Sequence, residues 1–193
     1  MTGADMNTDD LSELLKQLYA EQDHDLRQRF DRSLPFQDGA FDRWERARRL
    51  GFGEGASIYN SSLVYGDVRV GEQTWIGPNT LLDGSGGLLA LGAYCSISSG
   101  VHIYTHDTVL WALSRGLEDR RTAPVTIGDC VYIGPQSVIV AGVSIGDHCV
   151  VGANSFVNKD VEPRTVVAGS PARLIGRVIG DGKDVRIVTD AVS

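Results

Sequence analysis

The chain has 193 residues, of which 42% are hydrophobic and 22% charged, and this composition is ordinary for a soluble globular protein of one domain. Its formal net charge of −7 argues against a general nucleic-acid binder or a protein that binds anionic membranes. The sequence contains no apolar stretch long enough to span a bilayer, and the N-terminus lacks the basic start of a signal peptide. We therefore expect a cytoplasmic protein.

Residues 1–52 are predicted to form a short helical segment. Thr8 and the two aspartates after it provide a helix start, and leucines follow at the spacing of one helix face: Leu11, Leu14, Leu15 and Leu18. A second helical piece is predicted over residues 26–30, before Pro35, and a third ends at Gly51. The third piece carries a basic cluster, which we interpret as a solvated helix face and not as a phosphate site: Arg43, Arg46, Arg48 and Arg49.

From Ile58 onward the sequence repeats every six residues, most clearly in the hexads IGDCVY, IGPQSV, IVAGVS, IGDHCV and VGANSF. The first position is always aliphatic and branched, the second is mostly glycine, and the fifth is always small. An α-helix cannot bury a pattern of period six, and a flat strand does not explain the recurring glycine. A coil that turns a corner every six residues fits the pattern. We expect the first position to fill the interior, the fifth to occupy the tight inner edge, and the glycine to relieve the bend.

The repeat is interrupted twice. In LDGSGGLLA, which starts at Leu82, the phase slips by three residues, and no hexad fits the segment from Asp107 to Pro124, which we call the excursion. Insertions in solenoids map to exposed loops, so we expect function there. Cys95 and Cys149 occupy fifth positions and are expected to be reduced core residues. In the tail, residues 176–193, two apolar runs flank Gly-Asp-Gly, which predicts a hairpin.

The hexads, the histidine at the edge of the break and the tail APVTIGDCVYIGPQSVIVAGVSIGDHCVVGANSFVNKDVEPRTVVAGSPARLIGR resemble the hexapeptide-repeat acyltransferases. The most similar branch holds the sugar O-acetyltransferases and xenobiotic acetyltransferases, and the resemblance covers residues 58–177. It implies an all-β solenoid, a left-handed parallel β-helix of triangular section, over residues 53–175. It also implies homotrimers with active sites between neighbouring subunits and acetyl-CoA as the acyl donor.

His106 is the candidate general base among four histidines. His102 and His148 stand at hexad positions that face outward, whereas His106 lies in IYTHDT, where the ordered repeat meets the excursion, and matches the family's catalytic histidine. An imidazole near neutral pH can take the proton of an acceptor hydroxyl or amine and return it to the leaving thiolate. This mechanism needs neither a covalent enzyme intermediate nor a metal. Asp83, Asp107 and a backbone carbonyl all remain candidates to orient the ring.

The acceptor side is predicted from two places. Asp83 matches a family carboxylate that contacts the acceptor, although a plain turn aspartate before glycine fits equally well. In the excursion, Trp111 and Arg115 lie near two further arginines, and this combination suits an acceptor with a ring and a negative group, such as a nucleotide-linked sugar. Packing of Trp111 against a neighbouring subunit explains the pattern equally well.

The donor side is predicted from small residues that would leave a bare ridge for the pantetheine arm of CoA: Gly134, Ala141, Gly142 and Ala153. The resemblance places Lys159 and Arg173 near the adenine end, where they would meet the CoA phosphates. Family members often carry a second arginine three residues after the first. This chain has Gly176 there, followed by Arg177.

Three rival interpretations are weaker. A serine acetyltransferase would need a long helical N-terminal domain, for which residues 1–52 leave no room. A β-helical carbonic anhydrase binds zinc through three histidines, and His102, His106 and His148 could supply them, but with spacing unlike that family's. A non-catalytic scaffold would not need His106 or the CoA ridge. O- versus N-transfer and the identity of the acceptor stay open.

Overall fold

The computed structural model describes residues 7–189. Its α-helices are α1 (Thr8–Phe30), α2 (Phe36–Ala40), α3 (Arg43–Arg49) and α4 (Val109–Leu113), with a 3-10 turn at Gly182–Asp184. Its β-strands are β1 (Ser57–Ile58), β2 (Leu63–Val70), β3 (Trp75–Ile76), β4 (Leu81–Leu91), β5 (Ser96–Ile97), β6 (His102–Tyr104), β7 (His106–Asp107), β8 (Arg121–Thr122), β9 (Val125–Ile127), β10 (Tyr132–Ile133), β11 (Val138–Ile139), β12 (Ser144–Ile145), β13 (Val150–Val151), β14 (Phe156–Val157), β15 (Thr165–Ala168), β16 (Arg173–Ile179) and β17 (Arg186–Thr189). None of the helices within residues 7–189 has the length and apolar character needed to cross a membrane.

The short strands pair in parallel along three ladders. The first ladder runs β1, β3, β5, β10, β13, β15. The second joins the first halves of β2 and β4 to β6, β11 and β14. The third joins the second halves of β2 and β4 to β9 and β12. Because the chain visits the three ladders in turn, it winds as a coil, and each ladder stacks one coil on the next.

The pairing register reproduces the predicted interruptions. Ser57 pairs with Trp75, so a regular coil advances by 18 residues. Trp75 pairs with Ser96, a step of 21 residues that contains the phase slip of three. Ser96 pairs with Tyr132, a step of 36 residues that contains the excursion. Both breaks are therefore accommodated at a corner, and the strand register is regained after each.

The interior of the coil is filled as predicted. First-position side chains are almost completely buried, among them Ile58, Ile76, Leu82, Ile97, Ile103, Ile127, Ile133, Ile139, Ile145 and Val151. The small fifth positions are buried as well, including Val131, Ser137, Val143 and Ser155. Cys95 and Cys149 are buried free thiols, which confirms their core assignment, and burial raises the pKa of Cys95.

The predicted role of the second-position glycines is wrong. A Cβ built on Gly134 would lie 2.5 Å from the backbone nitrogen of Ala153, so the missing side chain allows adjacent coils to stack closely. The bends are instead made by fourth-position residues in the left-handed conformation: Gln73, Asn79, Tyr94, Cys130, Gln136, His148 and Asn154. The hexad therefore separates two functions, stacking at position two and turning at position four.

The N-terminal segment differs from the prediction in one respect: α1 is a single helix, in place of two pieces. Its N-cap is Asn7, whose Oδ1 accepts hydrogen bonds from the backbone nitrogens of Asp9 and Asp10 at 2.9 Å. The leucine stripe of α1 is 40–51% exposed, and no residue of α1 is buried. The helix α3 closes the first coil instead, since Ala47 and Phe52 belong to the core.

The basic cluster on α3 is divided among structural contacts. The Arg46 guanidinium donates to the backbone oxygens of Tyr59 and Ser62, two carbonyls between β1 and β2, and burial lowers the pKa of Arg46. Arg43 stacks over the rings of Trp44 and Tyr59 at 4.1 and 5.1 Å. Arg43 and Arg46 therefore hold α3 against the coil, and the prediction of a solvated face is wrong for these two, whereas Arg48 and Arg49 are exposed as predicted.

The tail forms the predicted hairpin. Strands β16 and β17 pair antiparallel, with Gly180 at φ +77° in the connection. Strand β16 also pairs antiparallel with β15, so the hairpin extends the first ladder at the end of the coil and runs across the predicted boundary at residues 175–176. Residues 1–6 and 190–193 of the two predicted outer segments lie outside the described residues.

Candidate active site

Polar and titratable side chains lie together where the chain passes from the second ladder to the third. We call this place the second corner. At other corners the second hexad position is mostly glycine, but at this corner it is Tyr65, Asp83, Tyr104, Val140 and Asn158. The excursion also leaves the coil here, between β7 and β8. This corner therefore provides side chains where the others provide bare backbone.

The phase slip forms a bulge at this corner. Between Gly66 and Val68 strand β2 advances two residues, while β4 advances five, from Gly84 to Leu89. A Cβ built on Gly86 would lie 2.4 Å from the backbone oxygen of Thr105 and 2.6 Å from Cβ of His106. Glycine is therefore needed at position 86, because the bulge packs directly against Thr105 and His106.

Asp83 and His106 face each other across the bulge. Asp83 Oδ2 lies 3.3 Å from Nδ1 of His106, and the two side chains are 7% and 23% exposed. Oδ1 of the same carboxylate accepts the backbone N–H of Ser85 at 2.9 Å. In the tautomer whose Nδ1 carries the proton, next to this carboxylate, the lone pair of the ring lies on Nε2, the form required of a general base.

Of the groups predicted to orient the ring, Asp83 lies beside Nδ1 of His106. Asp107 is engaged elsewhere, because its Oδ1 accepts the backbone N–H of Val109 at 3.1 Å, at the start of α4. Asp83 is also a turn residue, as the alternative interpretation held, since it accepts from the nitrogen two residues on. Thr105 fixes the same turn: its hydroxyl donates to the Asp83 carbonyl at 2.7 Å and accepts from Gly86 N at 2.9 Å.

The excursion is anchored to the coil at both ends. His106 and Asp107 pair antiparallel with Thr122 and Arg121. Arg121 Nη2 lies 3.5 Å from the carbonyl oxygen of Ala141, and Arg120 Nη2 lies 3.1 Å from the carbonyl oxygen of Ser85.

The middle of the excursion stays open. Trp111 and Leu113 of α4 are 54% and 77% exposed, and Arg115 follows the helix with φ +59°. Gly116 sits beside the Trp111 indole, since a Cβ built there would lie 3.5 Å from Nε1. The predicted acceptor residues Trp111 and Arg115 therefore share one exposed segment of the excursion.

The four small residues of the predicted CoA ridge fall into two pairs. Ala141 and Gly142 lie at the second corner, beside Ala123 and Arg121 of the excursion. Gly134 and Ala153 lie where the first ladder passes to the second, stacked on each other in adjacent coils. Within one chain the two pairs are on different corners of the coil.

The predicted phosphate contacts converge at the end of the coil. Lys159 and Arg173 both line a pocket of about 330 Å³, and Arg177 lines it too. Arg177 stands one residue beyond the position at which family members often carry the second arginine. In the pairing of β15 with β16 the register shifts by one residue just before Gly176, because Val167 pairs with Leu174 and Val166 with Gly176.

The other histidines have separate surroundings. His102 Nδ1 lies 3.3 Å from the Tyr104 hydroxyl, on the outer face of β6. His148 has φ +56° and lines a different pocket, of about 550 Å³, under the C-terminal hairpin. Among residues 7–189, no group of three His, Cys, Asp or Glu side chains is arranged to hold a metal ion.

Comparisons with known proteins identify the family of the chain. Residues 124–159 match the family model described as bacterial transferase hexapeptide (six repeats). A crystal structure of a hexapeptide-repeat containing acetyltransferase from Vibrio cholerae, complexed with acetyl coenzyme A, is 30% identical, with a TM-score of 0.56. The match covers 84% of this chain and 86% of that one. The chain belongs to the hexapeptide-repeat acetyltransferases.

Two curated members of the hexapeptide-repeat acetyltransferases represent the predicted branch. The chain is 51% identical over 55 residues to galactoside O-acetyltransferase of Escherichia coli (strain K12), covering 28% of this chain and 27% of that protein. It is 33% identical over 114 residues to chloramphenicol acetyltransferase of Morganella morganii, covering 48% and 53%. The chain thus spans about half or less of the length of these relatives.

Proposed function

We propose that this protein transfers the acetyl group of acetyl-CoA to a hydroxyl or amine of a sugar or nucleotide-linked sugar, with His106 as the general base. The observation that carries the proposal is the contact between Asp83 and His106 at the corner where the excursion leaves the coil. A buried carboxylate on Nδ1 holds the neutral ring in the tautomer with a basic Nε2 and stabilises the imidazolium that forms later.

The reaction follows from this tautomer. As the acceptor oxygen or nitrogen attacks the thioester carbonyl carbon, Nε2 of His106 takes its proton and a tetrahedral oxyanion forms. The oxyanion collapses, the carbon–sulfur bond breaks, and the same proton passes from Nε2 to the thiolate. The products are the acetylated acceptor and free CoA, and no acyl-enzyme is formed. A positioned base of this kind contributes roughly 10²–10⁴-fold to the rate.

The pocket at the end of the coil supports acetyl-CoA as the donor. Lys159, Arg173 and Arg177 line this cavity together with Asp160 and Glu162, so three cations against two carboxylates are available to the phosphates of the nucleotide end. His106 lies two coils away along the same side of the solenoid. The pantetheine arm would then run along the coil, between the cations and the imidazole.

For the acceptor, the open segment of the excursion supplies an aromatic surface and a positive charge. The exposed Trp111 indole can stack on a ring, and Arg115 can meet a phosphate or carboxylate. Asp83 is the weaker candidate for acceptor binding, because both of its carboxylate oxygens are used within the chain. A nucleotide-linked sugar combines the two features that the excursion offers.

We further propose a left-handed, triangular β-helix over residues 53–175, assembled as a homotrimer with each site shared by two chains. The split of the CoA ridge supports the shared site: one chain carries Gly134 and Ala153 on a different corner from Ala141 and Gly142. Facing one corner of a subunit against the other corner of its neighbour would join the two pairs into one groove. It would also cover the exposed apolar side chains of α4.

The proposal is tested by measuring release of the CoA thiol from acetyl-CoA with a panel of sugars, amino sugars and nucleotide sugars, with chloramphenicol as the rival acceptor. We expect acceptor-dependent thiol release with at least one sugar or nucleotide sugar, and a product that is heavier by one acetyl group in mass spectrometry. Thiol release with chloramphenicol and with none of the sugars would overturn the substrate class. Failure to bind acetyl-CoA in calorimetry would overturn the donor.

A further inference from the structure

The Ser85 side chain lies against the same imidazole nitrogen as the Asp83 carboxylate. Ser85 Oγ is 3.3 Å from Nδ1 of His106, equal to the distance from Asp83 Oδ2. In the tautomer with the proton on Nδ1, the Asp83 carboxylate is the stronger acceptor, and the serine hydroxyl is a second polar contact on the ring. The ring torsion of histidine is broad and roughly two-fold, so a single contact leaves the imidazole free to swing. A second contact narrows that motion.

Ser85 itself stands on a segment that needs external restraint. It follows Gly84 and precedes Gly86 and Gly87, and Gly87 has φ +153°. Glycines permit many backbone conformations, so this bulge is held by its hydrogen bonds. Two of them fix Ser85: its N–H donates to Asp83 Oδ1 at 2.9 Å, and its carbonyl oxygen accepts from Arg120 at 3.1 Å.

Arg120 belongs to the excursion, immediately before β8, whereas Asp83 and Ser85 belong to the coil. The hydrogen bond from Arg120 to Ser85 therefore ties the docked position of the excursion to the bulge that touches the imidazole. We propose that Ser85 is a positioning residue for His106, and that Arg120 holds it in place. Docking of the excursion then sets the orientation of the ring. This inference rests on the proposed role of His106 as the base.

The first measurement is kinetic, on the full chain. Ser85→Ala and Arg120→Met should each lower kcat roughly 3- to 30-fold, the range of a modest misplacement of a catalytic group, with KM for acetyl-CoA within about twofold of the parent. Ser85→Thr keeps the hydroxyl at an exposed position and should restore kcat to within about threefold. Since Arg120 acts through Ser85, the two losses of kcat should not multiply. The kcat of the double variant should be at most about twofold below that of the slower single variant. Ser61→Ala and Arg48→Met are matched controls outside the site.

The second measurement does not need turnover. In ¹⁵N-labelled protein the imidazole nitrogens of His106, assigned with a His106→Gln variant, report the tautomer and its averaging. Ser85→Ala and Arg120→Met should shift these signals and leave those of His102 in place, while circular dichroism shows an unchanged fold. Unshifted His106 signals in both variants, or kcat equal to the parent in both, would overturn the positioning role. Arg120→Ala replaces Arg120→Met if the latter does not fold, because it also removes the donor to the Ser85 carbonyl. A parent without acetyl transfer would overturn the proposed function, and the nitrogen signals would still decide the positioning of the ring.

Discussion

Asp83 and His106 come from adjacent coils, and the carboxylate of one lies 3.3 Å from Nδ1 of the other. Asp83 on β4 pairs in parallel with Tyr104 on β6, and His106 follows Tyr104 by two residues, so the stacking of the coils brings the two side chains together. The excursion begins at this point, which places His106, the proposed base, between a rigid ladder and an exposed segment. This arrangement suits a base that must hold its tautomer while a substrate enters and leaves.

The first prediction concerns the tautomer. Asp83→Asn should lower kcat at least about 10-fold, because an asparagine amide can donate to Nδ1 and so favours the ring form whose Nε2 carries the proton. KM for acetyl-CoA should stay within about twofold. Steady-state kinetics on the folded variant measures both constants. A kcat within twofold of the parent would remove Asp83 from the mechanism.

The second prediction concerns the base itself. His106→Ala should lower kcat by roughly 10²–10⁴-fold while acetyl-CoA still binds, since only the proton transfer is lost. The dissociation constant is measured by calorimetry and kcat by thiol release. His102→Ala and His148→Ala are the controls, because neither imidazole lies beside Asp83, and both should retain most of the activity. Near-parental turnover by His106→Ala would refute its assignment.

The third prediction concerns the donor phosphates. Replacing Lys159, Arg173 or Arg177 by alanine should raise KM for acetyl-CoA about 10-fold each, or about 1.4 kcal/mol, with little change in kcat. The same variants should match the parent when the donor is acetyl-pantetheine, which has the thioester but no nucleotide. Equal losses with both donors would mean that the cations support the fold at the end of the coil and do not bind phosphate.

The fourth prediction concerns the shared site. His106→Ala and Ala153→Trp should each be inactive alone, the second because an indole at this exposed corner would fill the proposed groove. Mixing them under conditions of subunit exchange should restore part of the activity, since some interfaces then combine an intact histidine with an intact ridge. A mixture no more active than its components, or a fully active monomer by light scattering, would contradict a site built from two chains.

Much of the coil could be predicted from the sequence because burial depends on the hexad itself. First and fifth positions face inward whatever lies around the coil, and Ile133 and Cys149 are buried as expected. The role of glycine was wrong because stacking between coils is a contact between residues about 18 positions apart. Gly134 meets Ala153, and a pattern of six does not show that pairing. The sequence predicted two helical pieces in place of the single helix α1. None of the residues of α1 is buried, so no apolar pattern marks its full length.

The candidate site was predicted only in part. His106 follows from its place at the break, whereas Ser85 and Arg120 depend on how the bulge and the excursion fold back on the coil. One sequence signal for this region was available. In the hexads of the second corner the second position is never glycine, so every third hexad departs from the pattern on the side of the coil that carries the site.

Parallel strand pairing also sets a scale of length for this molecule. Neighbouring coils are held about 4.8 Å apart by their hydrogen bonds. His106, the Ala141–Gly142 corner and Lys159 occupy three consecutive coils, so the imidazole and the cations are separated by two whole steps, or about 10 Å. A deletion of one coil between them would shorten that span by half and disturb no strand register. Changes of length in this stretch therefore come in whole coils, and each coil gained or lost would change by about 4.8 Å the distance that the proposed donor has to span.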